Sequence, residues 1–195
     1  MARPKEFDPQ AALAVAMEVF RRQGYEATSV QDLVEALGIN RSSMYAVYGS
    51  KHDLYLKALE RYCSAEAGKA AQDLSGPGPA LPALRTFLMS YVESALADPD
   101  RAGCMVTHGV MERLPEDEKA AERLSGALGS LEDAFRFLLL RARAQGELAP
   151  GTDVRGAARF LVTLTQGLRV MEKAADRAYL SQVVDQALKS LSPTS

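Results

Sequence analysis

The chain has 195 residues, a formal net charge of −2 and two cysteines. That length allows a good hydrophobic core in one domain or two compact ones, and two cysteines are too few for a disulfide framework. The sequence has no leading apolar stretch behind a basic one and no apolar run of about twenty residues, so it predicts neither a signal peptide nor a membrane span. We therefore expect a cytoplasmic protein with free thiols.

The pattern of apolar residues indicates helices along the whole chain. No stretch of useful length alternates apolar and polar residues as a half-buried strand would. The first predicted helix runs from Asp8 or Pro9 to Gln23, and Gly24 stops it. One stripe of this helix is apolar and consists of Leu13, Ala16, Met17 and Phe20.

Residues 28–51 predict two short helices joined by a tight turn. Thr28 can cap the first helix, Gly38 can end it in a left-handed conformation, and Asn40 can cap the second. This is the layout of a helix-turn-helix unit, whose second helix lies in a major groove of DNA and presents its first turn to base edges. Such a pair of helices can also simply pack a core. The positions predicted to face inward are Val30, Leu33, Val34, Leu37, Ile39, Met44 and Tyr48.

The rest of the chain predicts a long fourth helix, a linker and five further helices. Ser50 can cap the fourth helix, which runs to about Leu74, and residues 75–79 form a linker because their Gly and Pro residues disfavour a helix. Proline with acidic neighbours suits a helix start, so Pro115 is predicted to begin the seventh helix. The last five helices are predicted from Leu81 to Asp98-Pro99, from about Gly103 to Arg113, from Pro115 to Gly146, from about Asp153 to Ala174 and from Ala178 to Leu191.

Residues 13–54 resemble the N-terminal domain of the TetR/AcrR family of one-component transcriptional regulators. Further along, GELAPGTD and a helix with Gln166 and Gly167 look like the family's entry into its dimerisation helices. The sequence departs from the family at Ala46 and Val47, where an aromatic residue and a histidine are common. The matching positions are Leu13, Ala16, Phe20, Gly24, Tyr25, Thr28, Val30, Leu33, Ala36, Leu37, Gly38, Ile39, Tyr45, Tyr48, Ser50, Lys51 and Leu54.

The resemblance implies an all-α fold of about nine helices in two parts. These are a helix-turn-helix DNA-binding domain at residues 1–52 and an effector-binding and dimerisation domain at residues 53–195. It also implies a homodimer on a palindromic double-stranded DNA operator, a small-molecule effector, and repression as the commoner outcome. The last two helices would pair with those of a second subunit, although their pattern fits an ordinary intrachain core equally. No cofactor and no membrane partner is expected.

The predicted DNA contacts depend on where the basic residues stand, because the chain as a whole is slightly acidic. Arg41 and Lys51 lie in a stretch without acids, and Arg3 and Lys5 lie on an amino end that is predicted to be flexible. Arg41 is predicted to read a base, since a guanidinium can bind guanine through two hydrogen bonds. The full predicted set is Thr28, Asn40, Arg41, Ser42, Ser43, Tyr45, Tyr48 and Lys51, of which Thr28, Tyr45, Tyr48 and Lys51 suit phosphates and Tyr48 can instead be core.

By the same resemblance, an effector pocket is expected among helices four to eight. Apolar and aromatic residues at helical spacing could line it, although the same stripes are the ordinary filling of a helical bundle. The residues predicted to line the pocket are Tyr62, Phe87, Tyr91, Cys104, Met105, His108, Met111, Phe135 and Leu164.

Cys104 and His108 stand four residues apart, which on a helix puts a thiol and an imidazole on one face. Three interpretations stay open. Met105, Met111, Cys63 and Glu112 could complete a soft Cu(I) site. Cys104 could instead sense oxidants or electrophiles if His108 or Arg101 lowers its pKa, or it could simply pack in a core. The form NRSSMYAVYGSK with Gly103-Cys104 resembles a subgroup that includes copper- and electrophile-responsive repressors.

Two other functional classes compete with a DNA-binding regulator. An enzyme is not predicted, because the sequence has no glycine-rich phosphate loop, paired zinc motif or nucleophile elbow. Its histidines, His52 and His108, do not stand beside an evident Ser or Cys triad. A helical adaptor that binds only protein would leave the segment NRSSMY without a role.

Overall fold

The computed structural model describes residues 8–98 and 102–193 and contains, within these ranges, nine α-helices and no strand. The predicted all-α fold is therefore confirmed. Predictions that concern Arg3, Lys5, Pro99 and Arg101 fall outside the described residues. The helices are α1 (Pro9–Gln23), α2 (Val30–Leu37), α3 (Arg41–Tyr48), α4 (Lys51–Ser75), α5 (Ala80–Ala97), α6 (Met105–Arg113), α7 (Glu118–Ala144), α8 (Val154–Met171) and α9 (Arg177–Leu191).

Side-chain caps explain where most of these helices begin. Asn40 and Ser50 cap α3 and α4 as the sequence predicts, and Asp8 caps α1. Each accepts a hydrogen bond from a backbone amide of the first turn. Thr28 was predicted to cap α2, and that prediction is wrong. Ser29 caps this helix and exchanges hydrogen bonds with Asp32, its partner in a capping box.

The sixth and seventh helices begin later than the sequence predicts. Cys104 occupies the N-cap position of α6, and the helix starts at Met105. Pro115 lies before α7, which starts after Asp117. The Asp117 carboxylate accepts a hydrogen bond from the Ala120 amide at 3.1 Å, which satisfies one of the free amides of the first turn.

Two hydrophobic clusters fill the molecule, and α4 contributes to both. The first joins α1, α2, α3 and the first half of α4 to α6 and the start of α7. The second joins the end of α4 to α5, α8, α9 and the rest of α7. Because Leu54 and Leu59 pack with both α1 and α6 in one cluster, side-chain packing is continuous across residue 52. The predicted domain boundary there stays a prediction.

Within residues 8–98 and 102–193, no helix combines the length and the apolar character that a membrane crossing requires.

Candidate functional site

The helix α3 is held so that its first turn points away from the protein. Gly38 ends α2 with φ 63°, the left-handed conformation that the sequence predicts for this turn. Asn40 then caps α3, and its side-chain oxygen accepts hydrogen bonds from the Ser43 amide at 2.8 Å and the Ser42 hydroxyl at 2.9 Å. Met44 and Tyr48 are buried on the opposite side of the helix. We call α3 the recognition helix.

Arg41 is the free cation of the recognition helix. Its side chain is exposed and makes no hydrogen bond or ion pair within the described part of the chain. Ser42 is also exposed, Ser43 is half-buried, and Tyr45 exposes 46% of its surface. These four residues therefore form one outward surface that a base edge or a phosphate could reach.

Two residues of the predicted DNA-binding set lie inside the protein. The Thr28 side chain is completely buried, and its hydroxyl donates to the Gly24 carbonyl oxygen at 2.6 Å. The Tyr48 ring is 5% exposed, and its hydroxyl donates to the Pro9 carbonyl oxygen at 2.6 Å. Tyr48 thus belongs to the core, one of its two predicted alternatives, and ties the recognition helix to the start of α1.

Lys51 lies at the start of α4, where its ammonium group is 4.2 Å from the centroid of the Tyr25 ring. The Arg113 guanidinium, from the end of α6, is 4.4 Å from the same centroid. Burial lowers the pKa of Lys51, and the nearby Arg113 charge acts in the same direction. Lys51 therefore sits where elements from both parts of the chain meet.

Both ends of α6 are bonded to the C-terminal end of α1. At the first end, Arg21 donates to the Gly103 carbonyl oxygen at 3.2 Å. At the second, the Glu112 carboxylate accepts hydrogen bonds from the backbone amides of Tyr25 at 2.6 Å and Glu26 at 3.2 Å. Sequence reasoning considered Glu112 only as a possible metal ligand. Its bonds join residues 86 and 87 positions apart, so no local pattern reveals them.

A small, partly open cavity of about 40 Å³ lies among α4, α5, α6, α7 and α8. Of the predicted effector residues, it is lined by Tyr91 and Cys104. Its charged and polar side consists of Glu66, Thr165, Gln166 and Arg169, none of which the sequence predicts as a pocket residue. The remaining lining residues are Cys63, Ala67, Ala70, Val106, Ala127, Leu128 and Leu131.

A partly buried ion pair lies in the wall of this cavity. Arg169 of α8 donates to the Glu66 carboxylate of α4 at 2.7 Å. Its guanidinium also lies 4.0 Å from the centroid of the Tyr91 ring. Burial raises the pKa of Tyr62 and of Tyr91, so both phenols stay protonated near neutral pH.

The other predicted effector residues lie away from the cavity. Phe87 and Phe135 pack edge to face in the second hydrophobic cluster, with ring centroids 5.7 Å apart. Met105 is buried in the first cluster, whereas Met111 is 72% exposed. Leu164 lines an open groove between α8 and α9. Tyr62 is buried close to Cys104.

Cys104 and His108 face different surroundings. The Cys104 thiol lines the cavity near Arg169, and the His108 Nε2 atom lies 3.4 Å from the Lys173 ammonium nitrogen. Burial lowers the pKa of His108, and the Lys173 charge lowers it further. Burial also raises the pKa of Cys63 to about 12. The described residues contain no group of three or more His, Cys, Asp or Glu side chains that could hold a metal ion. The copper interpretation stays a prediction.

The outer face of α8 and α9 is open, and it carries exposed aromatic rings beside the polar residues Gln182, Gln186 and Ser190. Phe160 exposes 46% of its surface and Tyr179 exposes 53%. They line a groove of about 670 Å³ together with Leu164, Val183 and Ala187. Large apolar side chains that share one exposed patch mark an interaction surface.

Comparisons with known proteins agree with this geometry. A family model described as bacterial regulatory proteins, tetR family, matches residues 12–58. A second, described as tetracyclin repressor-like, C-terminal domain, matches residues 80–188. The chain is 40% identical to the HTH-type transcriptional regulator YezE of Bacillus subtilis (strain 168), covering 98% of this chain and 100% of YezE. It is 31% identical to the HTH-type transcriptional repressor ComR of Escherichia coli (strain K12), covering 96% of this chain and 90% of ComR.

A solved structure of similar fold has been determined with DNA. It is a cysteine variant of the TetR family transcriptional regulator CifR in complex with 26-base-pair double-strand operator DNA. The comparison gives a TM-score of 0.83 and 33% sequence identity, and it covers 97% of this chain and 100% of the CifR chain. Transcriptional regulators of this kind are not enzymes. The chain therefore belongs to the TetR family of bacterial regulatory proteins, and it is a DNA-binding transcriptional regulator.

Proposed function

We propose that this regulator is a ligand-responsive repressor that binds a near-palindromic operator as a homodimer in the bacterial cytoplasm. The observation that carries this proposal is the recognition helix, whose Asn40-capped first turn presents an unpaired Arg41 to solvent. The relative ComR is named as a repressor, and the CifR structure contains operator DNA, which supports the same role here. A twofold protein requires a twofold operator, with half-sites spaced to match successive major grooves.

The outward residues divide into base and phosphate contacts. Arg41 reads a base, with Ser42 and Ser43 beside it, because these side chains project from the first turn of the recognition helix. Tyr45 and Lys51 contact phosphates. Asn40, Thr28 and Tyr48 act indirectly, since their polar atoms hold the backbone of the recognition helix, α1 and the loop before α2.

Replacing Arg41 by alanine is expected to remove sequence preference. A bidentate contact to guanine contributes roughly 1–3 kcal/mol of discrimination, so each half-site should lose about five- to 150-fold in specificity. Lys51→Ala should weaken binding to all sequences and lower the salt dependence by about one phosphate contact per subunit. Fluorescence anisotropy with the DNA upstream of the protein's own gene and with a scrambled duplex, at several salt concentrations, measures both quantities.

The matched control is Arg85→Ala on α5, whose side chain pairs with Asp185 on the surface at 2.9 Å. It should bind both duplexes as the wild type does. If Arg41→Ala and Lys51→Ala lowered binding to the specific and the scrambled duplex equally, the assignment of base reading to Arg41 would fail.

The cavity is placed to control the DNA-binding helices. It is lined by Glu66 on α4, the helix that follows the recognition helix, and by Val106 on α6, the helix bonded to α1 at both ends. A ligand there shifts the orientation of the recognition helix only by its difference in affinity between the two orientations. We expect a ligand that binds the cavity to lower operator affinity.

One observation favours a second candidate, in which Cys104 senses electrophiles: its thiol lines the cavity beside Arg169. This candidate predicts that N-ethylmaleimide releases operator DNA from the wild type and from Cys63→Ser, but not from Cys104→Ser. Mobility-shift assays with mass spectrometry of the modified protein test it. Equal release from all three proteins would leave Cys104 as a packing residue.

A further inference from the structure

The ion pair in the cavity wall has unequal partners. The Arg169 side chain is 11% exposed, whereas the Glu66 side chain is 30% exposed. Arg169 lies in α8 against Tyr91, and its ion-pair partner within the described residues is Glu66, 103 positions away along the chain. Glu66 can thus turn toward water by a side-chain rotation, and Arg169 cannot.

This difference decides the charge of a ligand that fits the cavity. A largely buried cation left without an anion is strongly destabilising, so anything that displaces Glu66 must itself bring a negative charge to Arg169. A cationic ligand would compete with Arg169 for Glu66 and would leave the guanidinium unpaired. An uncharged ligand would not replace the negative charge that Arg169 loses when Glu66 turns away.

A second donor points to the same ligand. The Gln166 side-chain oxygen accepts a hydrogen bond from the Thr107 hydroxyl at 2.9 Å. That leaves the Gln166 amide nitrogen as a donor, and it makes no hydrogen bond within the described residues. Gln166 and Arg169 therefore offer donors at one side of the cavity, while the other side is apolar: Ala67, Ala70, Ala127, Leu128 and Leu131.

We propose that the effector of this regulator is a small organic acid, whose carboxylate replaces Glu66 on Arg169 while its short hydrocarbon body contacts the alanine and leucine side. The proposal rests on the proposed function, since it names the ligand class of the same cavity. The cavity volume of about 40 Å³ would hold two or three water molecules, and the Glu66 carboxylate, when it turns away, vacates a space that the ligand's carboxylate can fill, so an acid of few carbons fits.

The exchange of Glu66 for the ligand carboxylate acts directly on α4, the helix that follows the recognition helix. Glu66 belongs to α4, and its bond to Arg169 fixes α4 against α8. When the ligand takes Arg169, α4 loses that bond, and the orientation of the DNA-binding helices is released. Binding of the ligand at Arg169 is therefore expected to release the operator DNA.

The test compares acids with their uncharged amides of the same shape. Straight-chain potassium carboxylates from acetate to hexanoate, each paired with its amide, are added to the full-length protein at constant ionic strength. Thermal unfolding without DNA measures ligand binding, and fluorescence anisotropy with operator DNA measures release. At least one acid should bind at least about tenfold more tightly than its amide, because only the acid forms charge-assisted hydrogen bonds with the guanidinium. If every amide raised the unfolding temperature as much as its acid, the proposal would be wrong.

Variants of the ion pair make the test specific. Glu66→Gln removes the competing anion, so the acid should stabilise this variant more than the wild type. The double variant Glu66→Gln with Arg169→Met replaces the pair by uncharged side chains of similar size, which folded proteins usually tolerate, and it should bind acid and amide alike. Arg85→Gln, with its surface partner Asp185, is the control and should keep the preference for the acid. An acid preference that persisted in the double variant would overturn the proposal.

The two proposals fail separately. Specific operator binding by the ligand-free protein, without any acid preference, would contradict the ligand class and keep the repressor role. An acid preference in thermal unfolding that disappears in the double variant would support the ligand class even if specific operator binding were absent.

Discussion

Replacing Phe160 by glutamate is expected to convert the protein into monomers and to abolish tight operator binding. Phe160 exposes 46% of its surface in the α8–α9 groove, beside Tyr179 at 53%. In the proposed dimer these rings of one subunit pack against those of the second, so the substitution buries two carboxylates near the twofold axis. Burying unpaired charges costs several kcal/mol each, which is enough to separate the subunits.

A monomer carries one recognition helix and therefore holds one half-site. Linking two binding units raises the overall affinity by about 10²–10⁴-fold, and this gain is what the monomer loses. Size-exclusion chromatography with light scattering gives the mass, and fluorescence anisotropy gives the operator affinity.

Phe137→Glu is the matched control for this substitution. Phe137 is an aromatic residue of α7 that is 64% exposed and lies outside the α8–α9 groove. This variant should remain dimeric and bind the operator normally. A dimeric Phe160→Glu protein would contradict the proposed interface. A monomeric protein with unchanged operator affinity would contradict operator binding as a dimer.

Replacing Gly24 by alanine is expected to lower the free energy of unfolding by about 3 kcal/mol or more. Gly24 has φ 80° and ψ −178°, a region that is essentially restricted to glycine and costs other residues of order 1–3 kcal/mol. A Cβ atom at this position would also lie 2.0 Å from a carboxylate oxygen of Glu112. The carboxylate would have to move, and its bonds to the Tyr25 and Glu26 amides would be lost.

A double-mutant cycle separates the two causes. Glu112→Ala removes the clash together with the hydrogen bonds, so Gly24→Ala should cost less in that background, and only the backbone strain should remain. Chemical denaturation followed by circular dichroism gives the free energies. Gly126→Ala is the control, because a Cβ atom on this α7 glycine would meet no neighbouring side chain within 4 Å, and alanine there should stabilise the helix by about 0.5–1 kcal/mol. Equal costs of Gly24→Ala in both backgrounds would contradict the contact with Glu112.

The recognition helix shows which structural features can be predicted from the neighbouring sequence alone. Gly38 and Asn40 fix the turn and the cap because their effects act within a few residues, through a left-handed backbone and a side-chain hydrogen bond. The spacing of Met44 and Tyr48 then fixes which side is buried, so that the exposure of Arg41 follows. The error at the start of α2 is also local, because Thr28 and Ser29 are both good caps and the sequence does not say which hydroxyl is needed elsewhere.

Most residues that line the effector cavity could not be predicted in this way. Periodicity finds apolar faces, so it selected Phe87, Phe135 and Met105, which the structure places in the two hydrophobic clusters. Polar residues such as Glu66 and Arg169 look like solvated positions on their own helices, and only the packing of α4 and α8 on α7 brings their charges together.

The sequence by itself determined the all-helical fold, the helix-turn-helix unit and the outward face of the recognition helix, since caps, turns and helical spacing act over short stretches of chain. The tertiary structure alone decided which residues the ends of α6 bond to and which residues line the cavity. The contacts of Arg21 with Gly103 and of Glu112 with Tyr25 join residues more than eighty positions apart. Their formation depends on how whole helices pack, and no local propensity encodes that.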